Sequence, residues 1–236
     1  MRHFDDQLQE LLNTVATMGA LAESMVSAAV RSLVARDEGL ALEVYANERE
    51  VNTMQVAVDD QAIRLTVLQQ PVAKDARFLF MASRIGGELE RIADQAINIC
   101  QNTHYVLQSP PLQPLVGLPV MAQVAQKMVR DAMTAMMKRD VNAAQAILEV
   151  EQTVDAHRDQ IFRVLLTHMM SDPTTIQRAL SLILIARNLE RVGDHATNIA
   201  EEVIYWVQGR DVRHAKVPGT GRSASGFPAS ASPTGG

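Results

Sequence analysis

Two matched acidic stretches hold the residues whose types and spacing could do chemistry. Residues 188–199 read NLERVGDHATNI and residues 88–99 read ELERIADQAINI, identical at seven of the twelve positions. Glu190 and Asp194 are four apart, as are Glu90 and Asp94, so on a helix each pair shares one side. Asn198 adds an oxygen one turn further on. Upstream, Glu151 and Asp155 form another such pair, and Glu48 with Asn52 is its counterpart in the first half. Antiparallel packing of the helices that carry them would bring two pairs into one groove in each half. Facing carboxylates repel unless they are protonated, solvated or bridged by cations. Oxygen-only donors suit hard ions such as magnesium, calcium, manganese or iron. The set Glu48, Asn52, Glu90, Asp94 carries one charge fewer than Glu151, Asp155, Glu190, Asp194, so weaker binding is expected there.

On a helical wheel of about 100° per residue, Asp194 and Asn198 fall within roughly 80° of Glu190. Leu189, Val192, Gly193, Ala196 and Ile199 cluster on the other side, which places the carboxylates at the edge or outer surface of a bundle. His195 points about 100° from Asp194 and is expected to make an interhelical hydrogen bond, not to ligate a metal. No histidine lies three residues after a glutamate, so the Glu-x-x-His pattern of carboxylate-bridged di-iron bundles is missing. There is no glycine-rich phosphate loop, and neither the serines nor Cys100 has a nucleophile context. Two alternatives stand beside a metal-holding surface. One is a carboxylate-bridged dimetal enzyme. The other is a helical scaffold whose acidic stripes meet basic partners without any metal.

Composition bounds these readings. The chain has 236 residues, 47% of them hydrophobic and only 4% aromatic, with a net charge of −5. The bias to Ala, Leu, Val and Met leans helical. The acidic balance, with no long basic run, argues against a nucleic-acid partner. A lone cysteine rules out an intramolecular disulfide and fits a reducing compartment. The longest uninterrupted apolar runs are short, so no segment is expected to span a bilayer.

Apolar residues at i, i+3, i+4 spacing predict six helices. The first covers about 4–35, the second runs to about Gln70 before Pro71, and the third runs from near Lys74 to about Leu107. The fourth covers about 120–138, the fifth 141–170, and the sixth runs from the Asp172-Pro173 signal to about Val207. Asp172 is the expected N-cap and Gly209 the expected C-cap. SPPLQPLVGLP at 109–119 reads as a linker between halves. The halves align at an offset of 103 residues early (Asp37 with Asp140, Glu48 with Glu151) and 100 at the acidic motifs. The connection between the second and third helices of each half is therefore shorter in the second half. The expected architecture is all-α: two tandem three-helix bundles over 1–108 and 120–209, joined by 109–119. Residues 210–236, rich in Gly, Ser, Pro and Ala, are expected to be a disordered tail.

LERIADQAINI, LERVGDHATNIAEEVIYW and QQPVAKDAR together resemble the PhoU family, and the likeness covers about residues 1–215 in both repeats. Ala76, Ala93 and Asn52 depart from the family's usual Leu, Gly and Asp. The resemblance implies two three-helix bundles related by a pseudo-twofold. It implies surface clusters of divalent or trivalent metal (iron, zinc, manganese or magnesium) at Glu48 with Asn52, Glu90 with Asp94, Glu151 with Asp155 and Glu190 with Asp194. It also implies a cytoplasmic homodimer that associates with the membrane only through its partners. Those partners would be the ATPase subunit of a phosphate ABC transporter and the sensor histidine kinase of the phosphate two-component system. The implied role is negative regulation of phosphate uptake and of phosphate-starvation signalling, with no catalysis; family members are also linked to persister formation.

Overall fold

The computed structural model describes residues 2–112, 115 and 117–212. Six α-helices follow one another: α1 (Arg2–Ala35), α2 (Gly39–Gln69), α3 (Ala73–Leu107), α4 (Leu118–Lys138), α5 (Val141–Ser171) and α6 (Ile176–Gln208). A 3₁₀ turn, Pro173–Thr175, precedes α6. No strand occurs among the described residues. The expected tail falls almost wholly at 213–236, outside the described residues, as do linker residues 113, 114 and 116.

Local chemistry sets several of these boundaries. Asp140 caps α5 by accepting from the Ala143 amide at 3.0 Å, and Asp172 accepts from the Thr174 amide at 2.9 Å. Asp172 therefore caps the 3₁₀ turn, and α6 starts later than its N-cap signal suggested. Gly209 closes α6 in the left-handed region at φ 67, its amide donating to the Tyr205 carbonyl at 2.8 Å. The fourth helix begins two residues earlier than expected. Pro119 suits its first turn, and Leu118 is drawn into the core, so the linker is shorter than 109–119. Asp172 alone separates α5 from the 3₁₀ turn, whereas residues 70–72 separate α2 from α3. Counted to the 3₁₀ turn the second-half connection is the shorter, but from α5 to α6 it spans 172–175, four residues against the three at 70–72, so the expected shortening does not hold between the α-helices themselves.

α1, α2 and α3 pack on one another, as do α4, α5 and α6. The bundles then meet through α3 against α6, the most extensive helix pair, and through α1 against α4. Exchanging α1–α3 for α4–α6 maps this pattern onto itself, which is the pseudo-twofold relation. α2 and α5 touch only their own bundles and form the outer walls. A single apolar core runs through both, from Leu11, Met18 and Met25 of α1 to Ile185, Leu189 and Ile199 of α6. Burial of these stripes supplies the driving force.

The expectation that no segment could span a bilayer needs correction. Phe4–Ala35 is long and apolar enough by length and composition, with a mean hydropathy of 1.2. Counting uninterrupted runs misses it, because scattered polar residues break the run while barely lowering the average. In the fold, 56% of that window is buried, against α2, α3 and α4, so core packing accounts for its apolarity.

Gly19 of α1 faces Met133 of α4. A Cβ there would lie 2.5 Å from Met133 Cε and 2.8 Å from Cγ. The Met133 side chain fills the space that a Cβ would need, so a larger residue here must displace it. Gly19→Leu is expected to lose about 1–3 kcal/mol of stability by overpacking, despite the better helix propensity of leucine. Urea denaturation measures the loss, and adding Met133→Ala should restore a large part of it. No recovery in the double variant would show that the overlap with Met133 is not the cause.

Candidate metal and docking grooves

In each bundle the two longest-separated acidic pairs end up side by side, because the outer helix lies against the third helix. In the first groove, Asn52 Nδ2 donates to Glu48 Oε1 at 2.7 Å on α2. Across from them on α3, burial and the charges of Asp94 and Glu48 raise the pKa of Glu90. Burial and the charge of Glu48 raise that of Asp94. The four predicted residues of this half therefore share one electrostatic environment. Asn52 Oδ1 is buried and accepts no hydrogen bond, an exception to the general rule for buried polar atoms.

The second groove, between α5 and α6, is more strained electrostatically. Burial, then the charges of Glu190, Glu151 and Asp155, push the Asp194 carboxyl up to about 6. All four residues singled out in this half thus converge on one place. Gly193 is buried at this contact, and a Cβ there would lie 3.5 Å from Val154 Cγ1 of α5. That is ordinary contact, and Ala93 occupies the equivalent buried position in α3, so alanine suffices for the close approach.

Sequence reasoning missed Arg158. Its guanidinium donates across the second groove to Glu190, donates from Nη1 to Asp155 Oδ1 at 3.3 Å, and donates from Nη2 to Asp159 Oδ1 at 2.8 Å. Burial acts to lower the Arg158 pKa, but the Asp159 hydrogen bond and the charges of Glu190, Asp159 and Asp155 outweigh it. The matching residue in α2 is Gln55, which donates instead to Asp59 Oδ2 at 2.5 Å. The extra carboxylate of the second groove is therefore offset by an extra cation. The only signal in the sequence was the arginine three residues after Asp155.

Asn198 does not extend the Glu190–Asp194 row. It donates from Nδ2 to Glu88 Oε2 at 2.9 Å, beside His195 Nδ1 at 2.8 Å from the same oxygen. Continued rotation along α6 carries it onto α3. His195 makes the interhelical bond expected of it. Burial works to raise the Glu88 pKa, but the His195 and Asn198 hydrogen bonds and nearby positive charge bring it below the ordinary value. Cys100 is buried and its thiol is pushed up to about 12, which removes it as a nucleophile.

Among the described residues, no three His, Cys, Asp or Glu side chains already stand in metal-ligating positions. The donor chemistry fits a hard cation nonetheless. The first groove offers three carboxylates and the orphaned Asn52 oxygen. The second offers four carboxylates once Arg158 moves aside.

Metal-free protein gives a test of the Asp194 environment. Between about pH 4 and 6 the folded chain keeps a proton on Asp194 that the unfolded chain, with the ordinary carboxyl value of 3.8, has released. The folded state binds more protons in that window, so this residue's contribution to stability falls as pH rises through it. Asp194→Asn, measured by urea denaturation in chelator, should gain on the order of 1 kcal/mol at pH 7.5, after discounting for solvent screening of a half-exposed group. The gain should vanish near pH 4. An equal effect at both pH values would mean that the crowding of charge is not felt.

The comparisons with known proteins agree with one another over most of the chain. The PhoU domain family model matches residues 15–103 and again 118–203. A phosphate-specific transport system accessory protein PhoU homologue of Pseudomonas putida is 36% identical over 220 residues, covering 90% of this chain and 84% of that protein. The Escherichia coli K12 accessory protein PhoU is 35% identical over 213 residues, covering 89% and 88%. The crystal structure of PhoU from Pseudomonas aeruginosa matches with a TM-score of 0.85 at 34% identity, over 88% of this chain and 100% of that one. The Streptococcus pneumoniae phosphate transport system regulatory protein PhoU, 23% identical with a TM-score of 0.82 over 89% and 99%, shares the fold.

Proposed function

Since the chain belongs to the PhoU family, we propose that it is a non-enzymatic accessory protein of phosphate transport that restrains phosphate uptake and phosphate-starvation signalling. The observation that carries this is the match, over 90% and 89% of the chain, to relatives named for that transport system. In this reading it acts in the cytoplasm as a homodimer. It couples the ATPase subunit of a phosphate ABC transporter to a sensor histidine kinase, and it reaches the membrane only through them.

The acidic grooves supply the means. Glu48, Asn52, Glu90 and Asp94 in one bundle, and Glu151, Asp155, Glu190 and Asp194 in the other, would hold divalent or trivalent cations. Bound cations would relieve the repulsion between facing carboxylates and tie α2 to α3 and α5 to α6. They would also set the charge that each groove shows to a partner. A second reading, a scaffold that works without metal, is favoured by one observation: Arg158 already neutralises part of the second groove from within.

Deletion of the gene in its own host, with a phosphate-starvation reporter, tests the regulatory reading. Constitutive reporter expression in high phosphate is the expected result, reversed by the wild-type gene; an unchanged reporter would overturn it. The cation reading has its own measurement. Arg158→Ala should enlarge the rise in melting temperature that manganese gives to chelator-stripped protein, and Asn52→Asp should do the same through the first groove. If manganese, magnesium, iron and zinc all leave the melting temperature of every form unchanged, the scaffold reading holds instead.

A further inference from the structure

A cavity of about 300 Å³ lies where α1 and α3 begin and α4 and α6 end. That is the lower end of the size range of small-molecule sites. Lys74 and Arg139 line it, and so do Asp5 and Asp75. Phe78 and Trp206 supply its aromatic wall; both are buried, with ring centroids 5.1 Å apart. The Arg139 guanidinium rests on the indole, its Cζ 4.8 Å from the ring centroid. Such stacking holds the guanidinium plane and leaves its N–H edge free to donate. Among the described residues, no ion pair engages any of the four charged groups, and no oxygen accepts from Arg139.

The repeat shows what the same positions do when acceptors are at hand. Arg36 is the counterpart of Arg139. Each follows the first helix of its half, and each is in the left-handed region, at φ 56 and φ 55. Arg36 Nη2 donates to Leu107 O at 3.0 Å and to Ser109 O at 2.8 Å. Arg178, the counterpart of Phe78, donates from Nη1 to Pro110 O at 2.6 Å. Carbonyl oxygens that follow α3 therefore take up the cations at that end. Thr174 and Thr175 stand there in place of Lys74 and Asp75, and α4 begins at the equivalent of Val15, so Asp5 has no counterpart. One end of the duplicated fold meets its arginines with oxygens of the chain itself. The other keeps two cations and two carboxylates around a cavity.

A ligand for this cavity must satisfy both signs of charge. Lys74 and Arg139 only donate, and an oxyanion suits them. Ionised Asp5 and Asp75 only accept, so an oxyanion without a hydrogen would meet uncompensated repulsion. Sulfate has no hydrogen to give. Nor has the dianion of a phosphate monoester, which sheds its last proton at about pH 6. Inorganic phosphate has one more O–H than a monoester and keeps a hydrogen through the neutral range. We infer that the cavity binds inorganic phosphate as hydrogen phosphate. Lys74 and Arg139 donate to its oxygens, and Asp75, the less exposed of the two acids, accepts its hydrogen. A site that hydrogen-bonds an O–H rejects the analogue that lacks it, because its own polar group is then left unmatched. The inference stands on this cavity and goes beyond the regulatory reading, which does not require this chain to meet phosphate itself.

Trp206 is the only tryptophan of the chain, so its emission reports on this cavity. Full-length protein is titrated with sodium phosphate at pH 7.5 and constant ionic strength, followed by Trp206 emission and by calorimetry. Chelator in the buffer keeps metal-held phosphate out of the acidic grooves. Saturable binding of one phosphate per chain is expected, with sulfate weaker by about ten-fold or more. Arg139→Gln and Lys74→Gln should each weaken phosphate binding by about ten-fold or more, as the loss of a charge-assisted hydrogen bond implies. Arg36→Gln should leave it unchanged, with thermal melts confirming that each variant is folded. Asp75→Asn should bring phosphate and sulfate within about three-fold of each other, because an amide can donate to either anion. A merely structural role for Asp75 would not move that ratio. Neither heat nor an emission change with phosphate would overturn the inference. So would equal affinity for sulfate in the unaltered protein, which would mean a general anion site. Tighter binding of glycerol 3-phosphate would overturn it in favour of a monoester, and saturable binding of glycine without phosphate binding would overturn it in favour of a zwitterion. The titration needs no host response, so its failure is distinct from that of the deletion test.

Discussion

The packing of α3 against α6 is the constraint from which the rest of the structure follows. Each of these helices is over 30 residues long, about 50 Å end to end. Each serves two masters: one face closes its own bundle and another lies across the pseudo-twofold against its counterpart. That leaves a third face for the acidic motif. Two polar links fix the register within the apolar contact. Arg84 reaches Glu202, which is buried, and Glu88 receives His195 and Asn198. A buried ion pair gives little net stability, because desolvation offsets much of the attraction. Removing one partner, however, would strand a charge, so such pairs discriminate against slipped arrangements.

With α3 and α6 held at the centre, α2 and α5 can only be walls. Each touches just two other helices, and each has apolar residues on its outer side as well as on its core side. Leu42, Val56, Ile63 and Val67 on α2, and Phe162, Leu166 and Met170 on α5, are exposed. The grooves between wall and centre are thus where the protein meets the outside. Their acids are close enough to raise one another's pKa, as Asp194 shows, yet not drawn into a closed cage. Such an arrangement can exchange occupants: a guanidinium from within, a cation, or a basic group from a partner.

The two grooves show how a duplicated unit diverges while its fold persists. Core positions must preserve volume and apolarity, and Gly193 and Ala93 both satisfy the same close helix contact. Groove positions carry no such demand. Asn52 faces Asp155 in the alignment, Gln55 faces Arg158, and Asp59 faces Phe162. Each change leaves the backbone alone and alters what the groove can hold. The first keeps an orphaned amide oxygen among carboxylates; the second exchanges it for a carboxylate and brings its own counter-charge.

The helices, their repeat and the pairing of acids at four-residue spacing were legible in the chain alone, because they are local. Periodicity, caps such as Asp172 and Gly209, and self-similarity depend only on neighbours along the sequence. The resemblance to the PhoU family rested on the same local strings. Contacts between distant segments were another matter. That Arg158 would turn to Glu190 and Asp155, that Asn198 would leave its acidic neighbours for Glu88, and that Asp59 would accept from Ser83 while Phe162 lines a cleft with Ile183 all depend on which helix lies opposite. The start of α4 at Leu118 was decided by the core that buries that side chain. Sequence placed the carboxylates on the edges of helices; only the tertiary packing, by choosing the facing surface, decided which charges they meet.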